Sequence, residues 1–239
     1  MPVEKISLPA PELTSPARVD VSWVYEALAL SRRRGFIGNV NLRDVVEHSM
    51  GYVTIIQATR DSVSAFSQAV SEPYRLRIVD VGSGGGIPGI PIGWYLRDAD
   101  VTLLESSSRR VNFLYDILST SELSYHVSAA HARAELYGRE EIYRGAFQFA
   151  VARSLAPPAT TAELCAPLLA VGGKLIVSLD PDHDSILRLW PESGLAMLGL
   201  QKTAEVTVGR YRYLLLTQMV ACSDRYPRRP GMPSKRPLF

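Results

Sequence analysis

Hydrophobic and polar positions alternate with two distinct periods along this chain. From residue 19 to residue 34 apolar side chains recur at helical spacing, with Val21, Val24, Tyr25 and Leu28 on one side, and Gly35 stands where a helix stop is expected. Asn41 can cap a second helix that carries Leu42, Val45 and Val46, then Ile55 and Ile56, and residues 61–70 read as a third. The N-terminal third is therefore predicted to be helical. Ahead of it, the first twenty residues hold four prolines and little periodicity, which predicts a loose arm.

At Leu76 the pattern changes. LRIVDVG is a short apolar run closing on Asp and Gly, as a strand buried on both faces does. Similar runs follow at 100–105, 124–129, 147–152 and 173–179, separated by helical stretches near 88–96, 109–118 and 158–169. This alternation predicts an α/β fold with a doubly wound, mostly parallel sheet. Residues 202–208 and 211–220 are separated only by Gly209 and Arg210, which predicts a C-terminal hairpin with an antiparallel edge strand and a total of seven strands. The boundaries that follow are a 1–72 arm and helical extension, a 73–222 catalytic domain and a 223–239 tail.

Composition narrows the function. With 239 residues, 46% apolar and 21% charged, the chain can bury a core and is not disordered as a whole. No run of 18 apolar residues marks a membrane span, and residues 1–10 lack the basic-then-apolar order of a secretory leader. Cys165 and Cys222 cannot make a disulfide framework, and no Cys/His cluster has metal-ligand spacing. A cytoplasmic, monomeric enzyme without metal is expected. The net charge of +2 is uninformative, but residues 225–239 (RYPRRPGMPSKRPLF) carry five bases and no acid. Arg228, Arg229, Lys235 and Arg236 are thus candidates for holding RNA, the alternative being a solvated disordered end or, by its proline spacing, a polyproline ligand.

The chemistry concentrates in Asp80-Val-Gly-Ser-Gly-Gly-Gly-Ile-Pro-Gly. Gly82, Gly84, Gly85 and Gly86 lie between a strand and a helix, where the backbone can turn sharply and a ligand can come close. Gly84, Gly86 and Gly89 also satisfy G-x-G-x-x-G, so a dinucleotide is one reading. Asp80 argues against it, because its carboxylate beside the loop would repel a pyrophosphate and attract an ammonium and a sulfonium. S-adenosylmethionine carries both. Glu105, ending the next strand, can accept from ribose hydroxyls of either cofactor. Arg153 ends a buried strand at the same sheet edge.

DVGSGGGIPGIPI followed by VTLLESSSRRVNFL resembles the RsmG (GidB) family of bacterial 16S ribosomal RNA methyltransferases, with further likeness in RRGFIG, HARAEL, ARSLAP and YPRRPGMPSKRPL. The resemblance implies a class I methyltransferase, Rossmann-like, that moves a methyl group from S-adenosylmethionine to N7 of a guanine in 16S rRNA or the small subunit. By position it implies that Gly82 and Ile87 line the cofactor pocket, that Ala134 and Glu135 touch the adenine side, that Glu105 holds the ribose, and that Arg153 sits at the cofactor or substrate edge. Two departures stand out: Ser154 replaces the usual alanine, and Asp180-Pro181-Asp182 stands where members commonly have Lys-Gly.

Guanine N7 carries an in-plane lone pair and no proton, so no general base and no catalytic side chain is required; alignment is the task. The target base must be unpaired or turned outward. His48 reads as a packed or capped helix residue, the alternative being a substrate contact, Arg32–Arg34 as cations complementing a helix end ahead of a functional role, Arg109 and Arg110 as a solvated face or an RNA contact, and Cys165 as core. A small-molecule methyltransferase of the same fold, a nicotinamide-dependent oxidoreductase and a non-catalytic RNA-binding module are the rival readings.

Overall fold

The computed structural model describes residues 3–9, 21–64, 75–179 and 187–239. Its frame is an eight-stranded sheet of β1 (Glu4–Leu8), β2 (Leu76–Val81), β3 (Ala99–Glu105), β4 (Val127–His131), β5 (Phe147–Ala152), β6 (Leu169–Leu179), β7 (Leu200–Val208) and β8 (Tyr211–Gln218). The order is β1-β7-β8-β6-β5-β2-β3-β4, with β8 antiparallel to both neighbours and every other pairing parallel. β2 lies among four parallel strands and is buried on both faces, which is why its sequence is a continuous apolar run.

Side-chain alternation sends each strand into two cores. Ile78, Val101, Leu103 and Val151 pack against α1 (Ser22–Arg33), α2 (Leu42–Ser64), α3 (Gly89–Tyr95) and α4 (Ser108–Ser119). Val79, Val81, Leu104 and Ala152 face the other way, toward α5 (Ala134–Tyr137), α6 (Pro158–Cys165), α7 (Glu192–Ala196) and the C-terminal segment containing α8 (Met232–Lys235). The result is helices on both faces of a mostly parallel sheet, as the alternation of runs predicts.

Three expectations are corrected. The sheet has eight strands, not seven, because part of the arm at 1–20 is β1, paired in parallel with β7 so that Ile6 meets Val206. Ile6 and Leu8 pack on the core while Glu4, Lys5 and Ser7 stay exposed. A five-residue alternation of this kind is stable only against a neighbour's open edge, which local sequence does not display. Second, the antiparallel strand is internal: β8 lies between β6 and β7, and β1 covers the outer side of β7. Third, residues 61–64 continue α2 without a break, and the rest of the expected third helix lies outside the described residues. Smaller shifts occur at 124–129, where a 3₁₀ turn over Glu122–Tyr125 delays β4, and at 173–179, where β6 starts at Leu169.

The 223–239 segment is folded against α5, α6 and α7. Tyr226 and Pro233 are buried, and Phe239 packs over Gly194. Arg144 donates to the carbonyls of Cys222 (2.7 Å) and Tyr226 (2.9 Å).

α2 is pinned to the hairpin by Tyr213, whose hydroxyl donates to the His48 carbonyl at 2.6 Å, and to the end of β5 by Tyr52, which donates to the Ala152 carbonyl at 3.0 Å. Gly51 faces this fully buried Tyr213 ring, and a Cβ there would run into its hydroxyl. Alanine would gain about 1 kcal/mol of helix propensity, but overpacking against a ring that cannot swing away costs about 1–3 kcal/mol. Gly51→Ala is therefore expected to lower the urea midpoint with no change in slope; an unchanged or raised midpoint would show that the ring yields.

Candidate functional site

The site forms at the carboxyl end of β2, where the chain leaves the sheet through the glycine loop and enters α3. Asp80 governs this turn. Its Oδ2 accepts from the Ser83 hydroxyl and from the Gly89 amide, both at 2.9 Å, so one carboxyl oxygen ties the two ends of the loop together. A Cβ on Gly89 would lie 2.7 Å from that oxygen, so only glycine fits there. Asp80 is 1% exposed and its Oδ1 has no partner among the described residues. Burial pushes its pKa up to about 7, against the opposing pull of the Ser83 and Gly89 bonds.

The open side of the loop faces a cleft of about 300 Å³ lined by Gly82, Ser83, Gly84, Gly85 and Ile87, together with Arg110, Arg153, Ser154, Phe36, Ile37, Gly38 and Val40. Gly84 has φ +58, and a Cβ there would meet only the Gly82 carbonyl at 3.8 Å, so the backbone presents an unobstructed cradle. The N-terminal helices supply the far wall: Ser31 Oγ donates to the Gly85 carbonyl at 3.0 Å, and Phe36 and Ile37 pack against the loop. Arg109 lies over the Phe36 ring and donates to the Arg34 carbonyl at 3.2 Å, a structural role on this face.

Glu105 stands behind the cradle, 4% exposed, its oxygens accepting from the amides of Gly84 (2.9 Å) and Ser107 (2.8 Å), with Arg110 Nη1 3.7 Å away. Arg153 has no ion-pair partner among the described residues. Its charge adds to burial in holding His48 down at about pKa 4, so this histidine is neutral at physiological pH. Both cysteine thiols are buried with raised pKa values, Cys222 to about 11.

Of the candidate residues, Gly82, Gly84, Ile87 and Arg153 line the cleft. Asp80 does not: its carboxyl group lies beneath the loop as a staple, because desolvation draws it to the nearest amide and hydroxyl donors. Ala134 and Glu135, at the start of α5, follow β4, two strands over from β2, and do not line the cleft, although the Ala132 amide donates to the Glu105 carbonyl at 3.1 Å. Glu135 Oε1 accepts from Arg133 (2.7 Å) and from the Gly231 amide of the C-terminal segment (2.9 Å). Arg228 is committed to Glu163, whereas Arg229, Lys235 and Arg236 are exposed. The Asp180-Pro181-Asp182 departure lies outside the described residues. Sequence reasoning missed Ser83, Ser31 and Glu163; only Glu163, a charge within the otherwise apolar ELCAPLL run, carries a local signal.

A family model described as rRNA small subunit methyltransferase G matches residues 53–180. The chain belongs to that family. The methyltransferase G of Rubrobacter xylanophilus is 36% identical over 77% of this chain and 73% of its own length, and that of a Thermotoga species 33% identical over 81% and 89%. Among solved structures, the Bacillus cereus O-methyltransferase in complex with SAH superposes with TM-score 0.56 at 16% identity, covering 86% of this chain and 94% of its own, which is a likeness of fold. The family expected from the glycine block is thus borne out, as is the class of fold. Among the described residues, no helix is long and apolar enough to cross a membrane and no group of three acidic, His or Cys side chains could hold a metal ion.

The buried carboxyl of Asp80 makes stability depend on pH. Its folded pKa, about 7, exceeds its ordinary value, so the folded state keeps a proton that the unfolded chain releases. That contribution is complete below about pH 4 and is lost as pH rises to 7. Asp80→Asn keeps an acceptor for Ser83 and Gly89, and is expected to flatten this fall in denaturation midpoints between pH 4 and 7. A parallel pH dependence in wild type and variant would refute the assignment.

Proposed function

We propose that this protein transfers the methyl group of S-adenosylmethionine to N7 of a guanine in 16S ribosomal RNA, in the cytoplasm. The observation that carries the reading is the charge pattern around the cradle: a buried carboxyl beneath it, the Glu105 carboxylate behind it, and at its other end Arg153 with no ion-pair partner among the described residues. The Glu105 carboxylate beside the loop disfavours a pyrophosphate, and the Arg153 guanidinium, without an ion-pair partner among the described residues, suits the carboxylate of an amino-acid ligand. The residues present therefore fit the donor better than a dinucleotide.

Bound there, S-adenosylmethionine supplies an electrophilic methyl group on a sulfonium. Gly82, Gly84 and Ile87 would hold it against the loop, Glu105 would accept from its ribose, and Arg153 would bind its carboxylate. Ala134 and Glu135 would border the adenine through the Ala132–Glu105 bond.

The acceptor side is supported by a second cleft of about 230 Å³, whose walls include Leu155, Ala156, Pro158, Val177 and Leu189. Ser154 lines both clefts and, with φ +50, is the only non-glycine residue among those described with positive φ. Backbone held in this region costs about 1–3 kcal/mol and clusters at functional sites. It would keep a slot of mixed polar and apolar lining for an extruded base adjoining the cradle. Guanine N7 needs no deprotonation, so the side chains orient the base and exclude water.

Incubation with labelled donor should label 16S rRNA, as naked RNA or in small subunits, and yield 7-methylguanosine by mass spectrometry. Absence of label in every assembly state would favour a small-molecule acceptor. Ala156→Leu, which narrows the second cleft, is expected to lower kcat/KM at least tenfold with donor affinity unchanged; full activity would move the base elsewhere.

Arg229, Lys235 and Arg236 would grip phosphates, without Arg228. Replacing all three with alanine should reduce the slope of log affinity against log salt by roughly 2 on single-stranded RNA, about 0.7 per contact. An identical slope would remove them from the interface.

A further inference from the structure

The C-terminal segment makes buried, directional contacts that a phosphate-gripping arm does not need. Glu163 in α6 is fully buried, and its carboxylate takes three hydrogen bonds from one residue: from the Arg228 backbone amide (2.8 Å), Nε (2.8 Å) and Nη2 (2.6 Å). Losing one member of such a pair leaves an uncompensated buried charge. Three residues on, the Gly231 amide donates to Glu135 at 2.9 Å, and the Pro233 carbonyl accepts from the Thr160 hydroxyl at 3.0 Å. The segment therefore bridges α6 and α5.

α5 is in turn tied to the cradle. The amide of Ala132, just ahead of it, donates to the Glu105 carbonyl at 3.1 Å, the His131 ring contacts the Ser106 carbonyl at 3.3 Å, and Glu105 Oε2 accepts from the Gly84 amide at 2.9 Å. Each link from Arg228 to Gly84 is a hydrogen bond or a short stretch of backbone. When the segment lifts away, Glu135 loses its Gly231 donor and the connection beside Glu105 loses its outer support.

We propose that residues 223–239 are a latch on the methyl-donor site, so that docking of the segment and binding of the donor are coupled, with Arg228 as the positioning residue. This rests on the reading of the glycine cleft as that site. Coupling is reciprocal: if the docked segment strengthens donor binding, bound donor must hold the segment down by the same factor. The test measures the coupling in both directions.

Calorimetry with S-adenosylmethionine on the full chain should show donor affinity five- to fiftyfold weaker in Arg228→Met than in wild type, with Arg228→Lys recovering part of the loss. Hydrogen exchange on the wild-type protein should show saturating donor slowing the Arg228 and Gly231 amides, a readout that needs no variant and that a purely structural role for the segment would leave unmoved. A folded Arg228→Met protein whose affinity is within twofold of wild type, or exchange at these amides indifferent to donor, overturns the latch while the donor site stands. No donor binding by the wild-type protein would overturn both.

Discussion

A single buried oxygen, Oδ2 of Asp80, holds the functional end of the sheet in shape. It joins the Ser83 hydroxyl at the start of the glycine loop to the Gly89 amide at the start of α3, and the loop between them is free to expose its backbone because its ends are tied from below. A carboxyl group in such a place costs desolvation energy, which the fold lowers by keeping it protonated over much of the acidic range. Everything that lines the cleft depends on this turn, including the wall that the N-terminal helices lay against Gly85.

The central sheet was legible because its strands are buried on both faces and read as unbroken apolar runs; β5 falls on the residues its run predicts. Regions whose order comes from distant partners were not. β1 is five residues whose stability lies in β7, some 200 positions away. The C-terminal segment reads as a solvated basic end because its bases and prolines are local, whereas the acid that captures Arg228 is Glu163, buried in another helix.

The same distinction runs through the site. Gly82, Gly84, Ile87 and Arg153 are positioned by the end of a strand, so a strand prediction carries them to the right edge of the sheet. The direction in which Asp80 points is not a property of its strand: it is set by an amide nine residues later that exists only once α3 has formed. Ala134 and Glu135 were visible only through family likeness, since a one-turn helix leaves no periodicity to read. Ser154 shows a third case, in which the residue type gives no hint of its left-handed backbone and only the assembled loop does.

β1 also guards the solubility of the whole assembly. β7 (LQKTAEVTV) is rich in β-branched residues, and its outer edge from Ala204 to Val208 is taken up by β1, which turns Glu4 and Lys5 outward. Charged residues on a short edge strand discourage sheet-to-sheet association between molecules. Proteolytic trimming of the first eight residues would bare a longer and more apolar rim, and the loss would register first as self-association at high concentration, before any effect on the chemistry at the opposite end of the fold's connectivity.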